Sequence, residues 1–323
     1  MFNLNDQSQQ QQVTIDDISP EAYRKKHFSA GDIPNLTKML TSPNPDSQLS
    51  AVIGFRKMLS EESGGPIMQV FDSGCVPYLI AAAKRVDNPA LQYEALWALT
   101  NLASGTSDAV VKLLEMGMAK ICVDALGGSP EIQEQALWAI GNLAGDSAHS
   151  RDMVLKQGGL TALAAALLDP VNTNKTTFVR NGIWALSNLC RGRPLPDFKY
   201  CAPAINPLIR VIRETSDQEI LTDAAWALSY LSDGGVDRIE RLVRSGVVPR
   251  LVELISSPIL SISIPCIRTL GNISTGTTFQ TQSLLDADFI ETARPLLNSH
   301  KKSVRKEVLW ALSNITAGEP NQI

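Results

Sequence analysis

The sequence predicts an all-α chain wound as a right-handed α-solenoid of about seven helical units, and three observations lead there. One short segment recurs along the chain with a fixed anchor residue. The interval between copies is long enough for two or three helices per unit. Glycine and proline punctuate the copies at matching places, where helices stop and start.

The copies are EALWALTNLASG (94–105), QALWAIGNLAGD (135–146), NGIWALSNLCRG (181–192), AAWALSYLSDG (224–234), CIRTLGNISTG (266–276) and VLWALSNITAG (308–318). Their anchors Trp97, Trp138, Trp184, Trp226, Arg268 and Trp310 lie 41, 46, 42, 42 and 42 residues apart. A degenerate earlier copy, SAVIGFRKMLS, places Phe55 at the anchor, again 42 residues before Trp97. That period belongs to armadillo and HEAT arrays, not to the shorter ankyrin or tetratricopeptide units. Units are expected near 33–72, 73–115, 116–157, 158–203, 204–245, 246–287 and 288–323, the last incomplete or followed by missing repeats. Together 13–323 form the repeat domain, and the Gln-rich segment 1–12 is expected to be disordered.

Each unit follows one grammar. In DSGCVPYLI (72–80), KQGGLTALAAALL (156–168) and RSGVVPRLVELI (244–255) a glycine ends one helix and the next begins, often with proline in its first turn. Polar stretches such as VDNPAL (86–91) and SPEIQ (129–133) lead into the third, anchor-bearing helix. The 46-residue interval is absorbed by LLDPVNTNKTTF (167–178), and PLPDFKYCAPAIN (194–206) replaces an ordinary short helix entry.

Composition narrows the function. The net charge is -4, with Lys+Arg 29 against Asp+Glu 33, so neither nucleic acid nor a membrane surface is an expected partner, and a basic partner suits the balance. The five cysteines lack C-x-x-C spacing and are expected to be reduced core thiols, with no metal site. A polar start and the lack of an 18-residue apolar run predict a soluble, intracellular protein. Three histidines in different units and no nucleophile or phosphate-loop motif predict no enzyme, no catalytic residues and no cofactor.

The third helix of the second unit carries the functional signal. At 100° per residue Ala95, Leu96, Leu99, Leu102 and Ala103 share one side, while Trp97, Asn101 and Ser104 fall on the other. One such tryptophan alone reads equally well as packing between units. The pairs Trp97/Asn101, Trp138/Asn142, Trp184/Asn188 and Trp310/Asn314 repeat at i,i+4, so stacking would set them in a ladder with rungs about 8–10 Å apart. An asparagine amide can hold both the N–H and the C=O of an extended peptide. Parallel indole faces would make slots for long aliphatic stems ending in a cation, that is, for lysine and arginine. Asp146 and Asp233 follow their rungs, and Glu219, Asp223 and Glu307 precede theirs, within reach of such cations.

These W-x-x-x-N helices, ending in LASGT, LAGD, LCRG and ITAG, resemble the armadillo core of importin-α, and the similarity runs from about Asp16 to Ile323. Even the departures Trp226/Tyr230 and Arg268/Asn272 fall where that family departs. The resemblance implies a nuclear import adaptor that shuttles between cytoplasm and nucleus and binds cargo through lysine/arginine-rich nuclear localisation signals. It implies a major groove of Trp97, Asn101, Gly105, Gln135, Trp138, Asn142, Asp146, Asn181, Trp184 and Asn188, extended by Asp223, Trp226 and Tyr230, with Asp146 pairing the key lysine. It implies an incomplete minor groove of Arg268, Asn272, Glu307, Trp310 and Asn314. Val110 stands where the family has a threonine beside that lysine, and Glu61 where it has an arginine. Only Arg24, Lys25 and Lys26 precede the first repeat, so the resemblance does not extend to the basic segment that binds importin-β. The competing reading is an armadillo scaffold of another class; for acidic tails it predicts a groove of Lys and Arg in place of Trp, Asn and acids.

Overall fold

The computed structural model describes residues 19–61 and 65–322, which form α-helices, short 3₁₀ turns and no strand. The segment expected to be disordered lies outside the described residues. Contacts divide the described residues into two compact units, one ending at Ala109 and the other beginning at Val110. No described helix is long and apolar enough to cross a membrane.

The anchor-bearing helices organise both units. The first unit holds α1 (Pro45–Leu59) packed against α2 (Pro89–Ala103). In the second, α3 (Pro130–Asp146), α4 (Thr176–Cys190), α5 (Gln218–Ser232), α6 (Leu260–Ile273) and α7 (Lys302–Ile315) pack in succession, each on the next. Their starts are written locally. Proline opens α1, α2 and α3, where a missing N–H leaves no helical bond unmade. Asn44 Oδ1 accepts from the Asp46 N–H at 2.9 Å, and Asn88 Oδ1 from the Leu91 N–H at 3.2 Å. Such caps contribute about 1 kcal/mol each.

Two shorter helices precede most of these, for example Val236–Arg244 and Val248–Ile255 before α6. The turn between the two needs a left-handed residue: Gly74, Gly117, Gly158 and Gly246 all have φ between 69° and 85°, and in the last repeat Asp288 takes the place at φ 58°. Glycine adopts this conformation without the penalty of roughly 1–2 kcal/mol that a Cβ brings.

The leucine side of each anchor helix is sealed. Leu96, Leu99 and Leu102 in α2, Leu137, Ile140 and Leu143 in α3, and Ile183, Leu186 and Leu189 in α4 have no exposed surface. Truncating any of them to alanine should cost about 2–5 kcal/mol. All five cysteines are buried and free. The long interval before α4 is taken up by an extra turn, Pro170–Thr173. Its Asn172 is buried and donates to Gln133 Oε1 at 3.0 Å and Ala166 O at 3.2 Å. The irregular stretch after α4 is held by two arginines from the preceding and following repeats. Arg151, fully buried, donates to Arg191 O at 2.7 Å and Pro194 O at 2.9 Å, while Arg238 donates to Pro196 O at 2.6 Å.

Candidate peptide-binding surface

The ladder side of the anchor helices is built on small residues. Three positions after each anchor in α3 to α6 stand Gly141, Ser187, Ser229 and Gly271. The next ring rests where a larger side chain would be: a Cβ on Gly141 would meet Trp184 Cζ3 at 1.9 Å, and one on Gly271 would meet Trp310 Cζ3 at 2.5 Å. Trp184 and Trp226 are half-buried, while Trp138 and Trp310 are 44% and 37% exposed.

The carbonyls of three of these small residues receive asparagines; after Ser187 the next rung carries Tyr230 instead. Asn188 Nδ2 donates to Gly141 O at 3.1 Å, Asn272 Nδ2 to Ser229 O at 3.1 Å and Ser232 Oγ at 2.8 Å, and Asn314 Nδ2 to Gly271 O at 3.4 Å and Ser274 Oγ at 3.2 Å. The amide expected to clasp a peptide with both ends therefore spends one N–H on the preceding helix at Asn188 and both at Asn272 and Asn314. A helix carbonyl has a second lone pair, and a buried one attracts a donor. What each amide chiefly offers a ligand is its oxygen, an acceptor for a peptide N–H.

In the first unit Asn101 Nδ2 donates to Ser60 Oγ at 2.8 Å and Arg56 O at 3.4 Å. Counting three residues back from Arg56, as in the other rungs, puts Ile53 at the anchor of α1 and not Phe55. Both are fully buried, so α1 supplies core at this position and no aromatic rung. Arg56 supplies something the sequence reading missed. Its guanidinium Cζ sits 4.5 Å from the centre of the Trp97 ring, and its Nε is 2.8 Å from Glu94 Oε2.

Two further expectations need correction. The indoles of Trp138 and Trp184 are not parallel walls 8–10 Å apart: their centroids lie 5.6 Å apart at 51°. Gly141 has no Cβ, so Trp184 leans onto α3 beside Trp138, and no methylene stem fits between the rings as they stand. Along the chain, Trp226 stacks on Tyr230 at 5.9 Å, and Arg268 Cζ lies 5.6 Å from the Trp226 ring while Nη2 binds Glu307 Oε1 at 2.6 Å. The anchor arginine thus occupies an aromatic face itself.

The acids divide accordingly. Glu307 is taken by Arg268, Asp233 pairs with Arg193, and Glu219 lies 3.4 Å from Arg180, which also binds Asp217 at 2.6 Å. Asp146 is half-buried and accepts from Ser150 Oγ at 3.0 Å. Asp223 is half-buried with no ion pair among the described residues; burial first, and the Glu219 charge second, push its carboxyl above the usual range. Asn142, Gln135 and Asn181 are half-buried, Gly105 is exposed, and Glu61 is exposed. Val110 is 1% exposed and belongs to the core, so no polar side chain takes the family's threonine position. The small residue three places after each anchor was a readable signal for the ring seats; Arg56 had none, because its partners lie 38 and 41 residues away.

The armadillo/beta-catenin-like repeat family matches residues 65–104, 202–233, 236–275 and 280–317. Importin subunit alpha-1a of Oryza sativa subsp. japonica is 46% identical over 293 residues, covering 90% of this chain and 55% of that protein. Importin subunit alpha-1b of the same organism is 48% identical over 280 residues, covering 86% and 52%. The chain spans about half the length of the curated relatives it matches. Among solved structures an engineered protein superposes with a TM-score of 0.81 at 28% identity, over 93% of this chain and 72% of that one. The recurring anchors, their small-residue seats and these similarities together make the chain an armadillo-repeat protein homologous to the importin α subunits.

Proposed function

We propose that the chain is a nuclear import adaptor, a binding protein and not an enzyme, that holds lysine/arginine-rich nuclear localisation signals in extended form along its Trp/Asn ladder. The observation that carries the reading is what the protein does with its own arginines. Arg56 lies on Trp97 with Glu94, and Arg268 lies on Trp226 with Glu307. The ladder's faces thus suit a long stem ending in a cation, with a carboxylate at hand. The relatives are importin α subunits, and the acidic balance of the chain favours a basic ligand.

The main site on this reading is the major groove named from the sequence, centred on Trp138, Asn142, Asp146, Trp184 and Asn188. Trp138 turns off Trp184 to admit the ligand stem, the asparagine oxygens take peptide N–H groups, and Asp146 takes the ammonium. The minor ladder of Arg268, Asn272, Glu307, Trp310 and Asn314 binds more weakly, since Arg268 and Glu307 already satisfy each other. Cargo with a basic signal is the partner, and shuttling between cytoplasm and nucleus follows from the role. A fluorescent peptide with five consecutive lysines and arginines, followed by anisotropy at two salt concentrations, tests this. Binding of about micromolar strength or better is expected, lost when its central lysines become alanine and lost in a Trp138→Ala/Asn142→Ala variant. A folded protein that ignores the peptide would refute the reading.

A further inference from the structure

Two of the five buried cysteines meet. Cys190 is the last residue of α4, and Cys201 ends the short helix Phe198–Cys201. Their side chains interact thiol to thiol, within hydrogen-bonding reach, and Cys201 Sγ lies 3.9 Å from Leu189 O, the carbonyl just before Cys190. Neither residue is more than 1% exposed. Residues 191–200 join the two, and 191–197 carry no regular structure.

Two buried guanidiniums act on this pair. Arg151 donates to Arg191 O and Pro194 O, and Arg238 donates to Pro196 O, so both are anchored on the segment that joins the cysteines. Arg151 shares its charge with Asp152, whereas Arg238 has no ion pair among the described residues, and its buried Nη1 has no hydrogen-bond partner among them. The Cys190 thiol first, and the charges of Arg238 and Arg151 after it, pull the Cys201 thiol below its ordinary value against its burial, while Cys190 is held well above. In Cys75, Cys122 and Cys266 burial is the leading influence, and each thiol is raised. The thiolate, not the thiol, is the nucleophile, and nearby cations favour it. Equal burial therefore does not make the five cysteines alike.

We propose that Cys190 and Cys201 are a modification site, a dithiol that hydrogen peroxide closes reversibly into a disulfide, with Cys201 as the attacking sulfur. The Cys201 thiolate attacks one peroxide oxygen and the O–O bond breaks. The other oxygen leaves as hydroxide and takes up the thiol's proton to become water, so Cys201 is left as the sulfenic acid. The Cys190 sulfur then attacks the Cys201 sulfur, the S–O bond breaks, and a second water leaves with the Cys190 proton. The two sulfurs together give up two electrons, and the peroxide takes both. Peroxide is little larger than water, and it reaches the pair when 191–197 lifts, a local opening that unwinds no helix. This site stands independently of the peptide-binding role.

The test treats reduced, native protein with a small excess of hydrogen peroxide, blocks the remaining thiols with iodoacetamide in denaturant, and digests it with trypsin without reductant for mass spectrometry. The chain should lose two hydrogens and yield one linked pair of peptides, that with Cys190 joined to that with Cys201, and dithiothreitol should undo the link. Cys190 and Cys201 should disappear as free thiols roughly tenfold or more faster than Cys75, Cys122 and Cys266. Cys190→Ala should stop at a sulfenic acid on Cys201, trapped with dimedone, and Cys201→Val should leave Cys190 a thiol. A folded protein that keeps all its thiols, a link to another cysteine or between two chains, a link formed only in urea, or a sulfenic acid on Cys190 with none on Cys201 would each overturn the proposal. The wild-type link needs no substitution, so a variant that fails to fold leaves the test decisive.

Discussion

The Trp184 indole occupies the space a side chain on Gly141 would need: a Cβ there would lie 1.9 Å from Cζ3 and 2.5 Å from Cε3. The same glycine's carbonyl receives Asn188 Nδ2 at 3.1 Å, so both members of one rung are seated on one residue of the preceding helix. Ring position and amide position are therefore not independent.

Gly141→Ala should thus act on the rung as a whole. The methyl must displace the indole, which costs about 1–3 kcal/mol for an overpacked site, and the shift should weaken the Asn188 bond with it. Gly145→Ala is the control, since a Cβ there would come only to 3.3 Å from Asn188 Nδ2. Urea melts and peptide anisotropy should show a large loss in both stability and affinity for Gly141→Ala, and a small one for Gly145→Ala. Equal effects would mean that the ring seat is not what fixes the rung.

The ladder was legible because its signal is a repeat: Trp97, Trp138, Trp184, Trp226 and Trp310 stand out by interval alone, and the leucines on the opposite side are fully buried as the helical angle requires. Interval failed at Phe55, where α1 joins α2 with two more residues than the period allows and the pattern drifts off the rung. It also could not show how the polar groups are spent. An asparagine four residues after a tryptophan looks free for a ligand, yet Asn188, Asn272 and Asn314 each donate to a carbonyl 43 to 47 residues earlier. Which acids are already neutralised is likewise a matter of cross-repeat geometry, as Arg268 with Glu307 and Arg193 with Asp233 show.

Asp223 gives a prediction with a definite sign. Its carboxyl is held above the ordinary value of 3.8, mainly by burial and next by Glu219. A carboxyl raised in the folded state disfavours the fold once it ionises: the penalty is absent below the unfolded value, grows as pH rises and is complete above the folded value. Asp223→Asn should therefore be more stable than wild type at pH 7, and the difference should vanish towards pH 3. A bound ammonium nearby favours the ionised form, so the same variant should bind the basic peptide more weakly at pH 7. Thermal melts across this pH range and one titration check both. A variant that is less stable at pH 7 would mean that Asp223 has a partner in solution that offsets its burial.

Cys122 and Cys266 report on the core that positions the ladder. Burial pushes both thiols up to about 12, so at pH 7 the folded state holds each as the unreactive thiol. Neither has exposed surface, Cys122 lying in Met118–Ala125 and Cys266 in α6. Iodoacetamide should therefore leave both unmodified in native protein and label them only through opening. Because a repeat array is held by neighbour contacts, the two need not open together. Both lie in the same compact unit, however, and packing runs unbroken from α3 to α7. The two labelling rates should accordingly rise at the same urea concentration, followed by mass spectrometry of the peptides containing each cysteine. If Cys266 labels well before Cys122, the repeats around α6 open on their own.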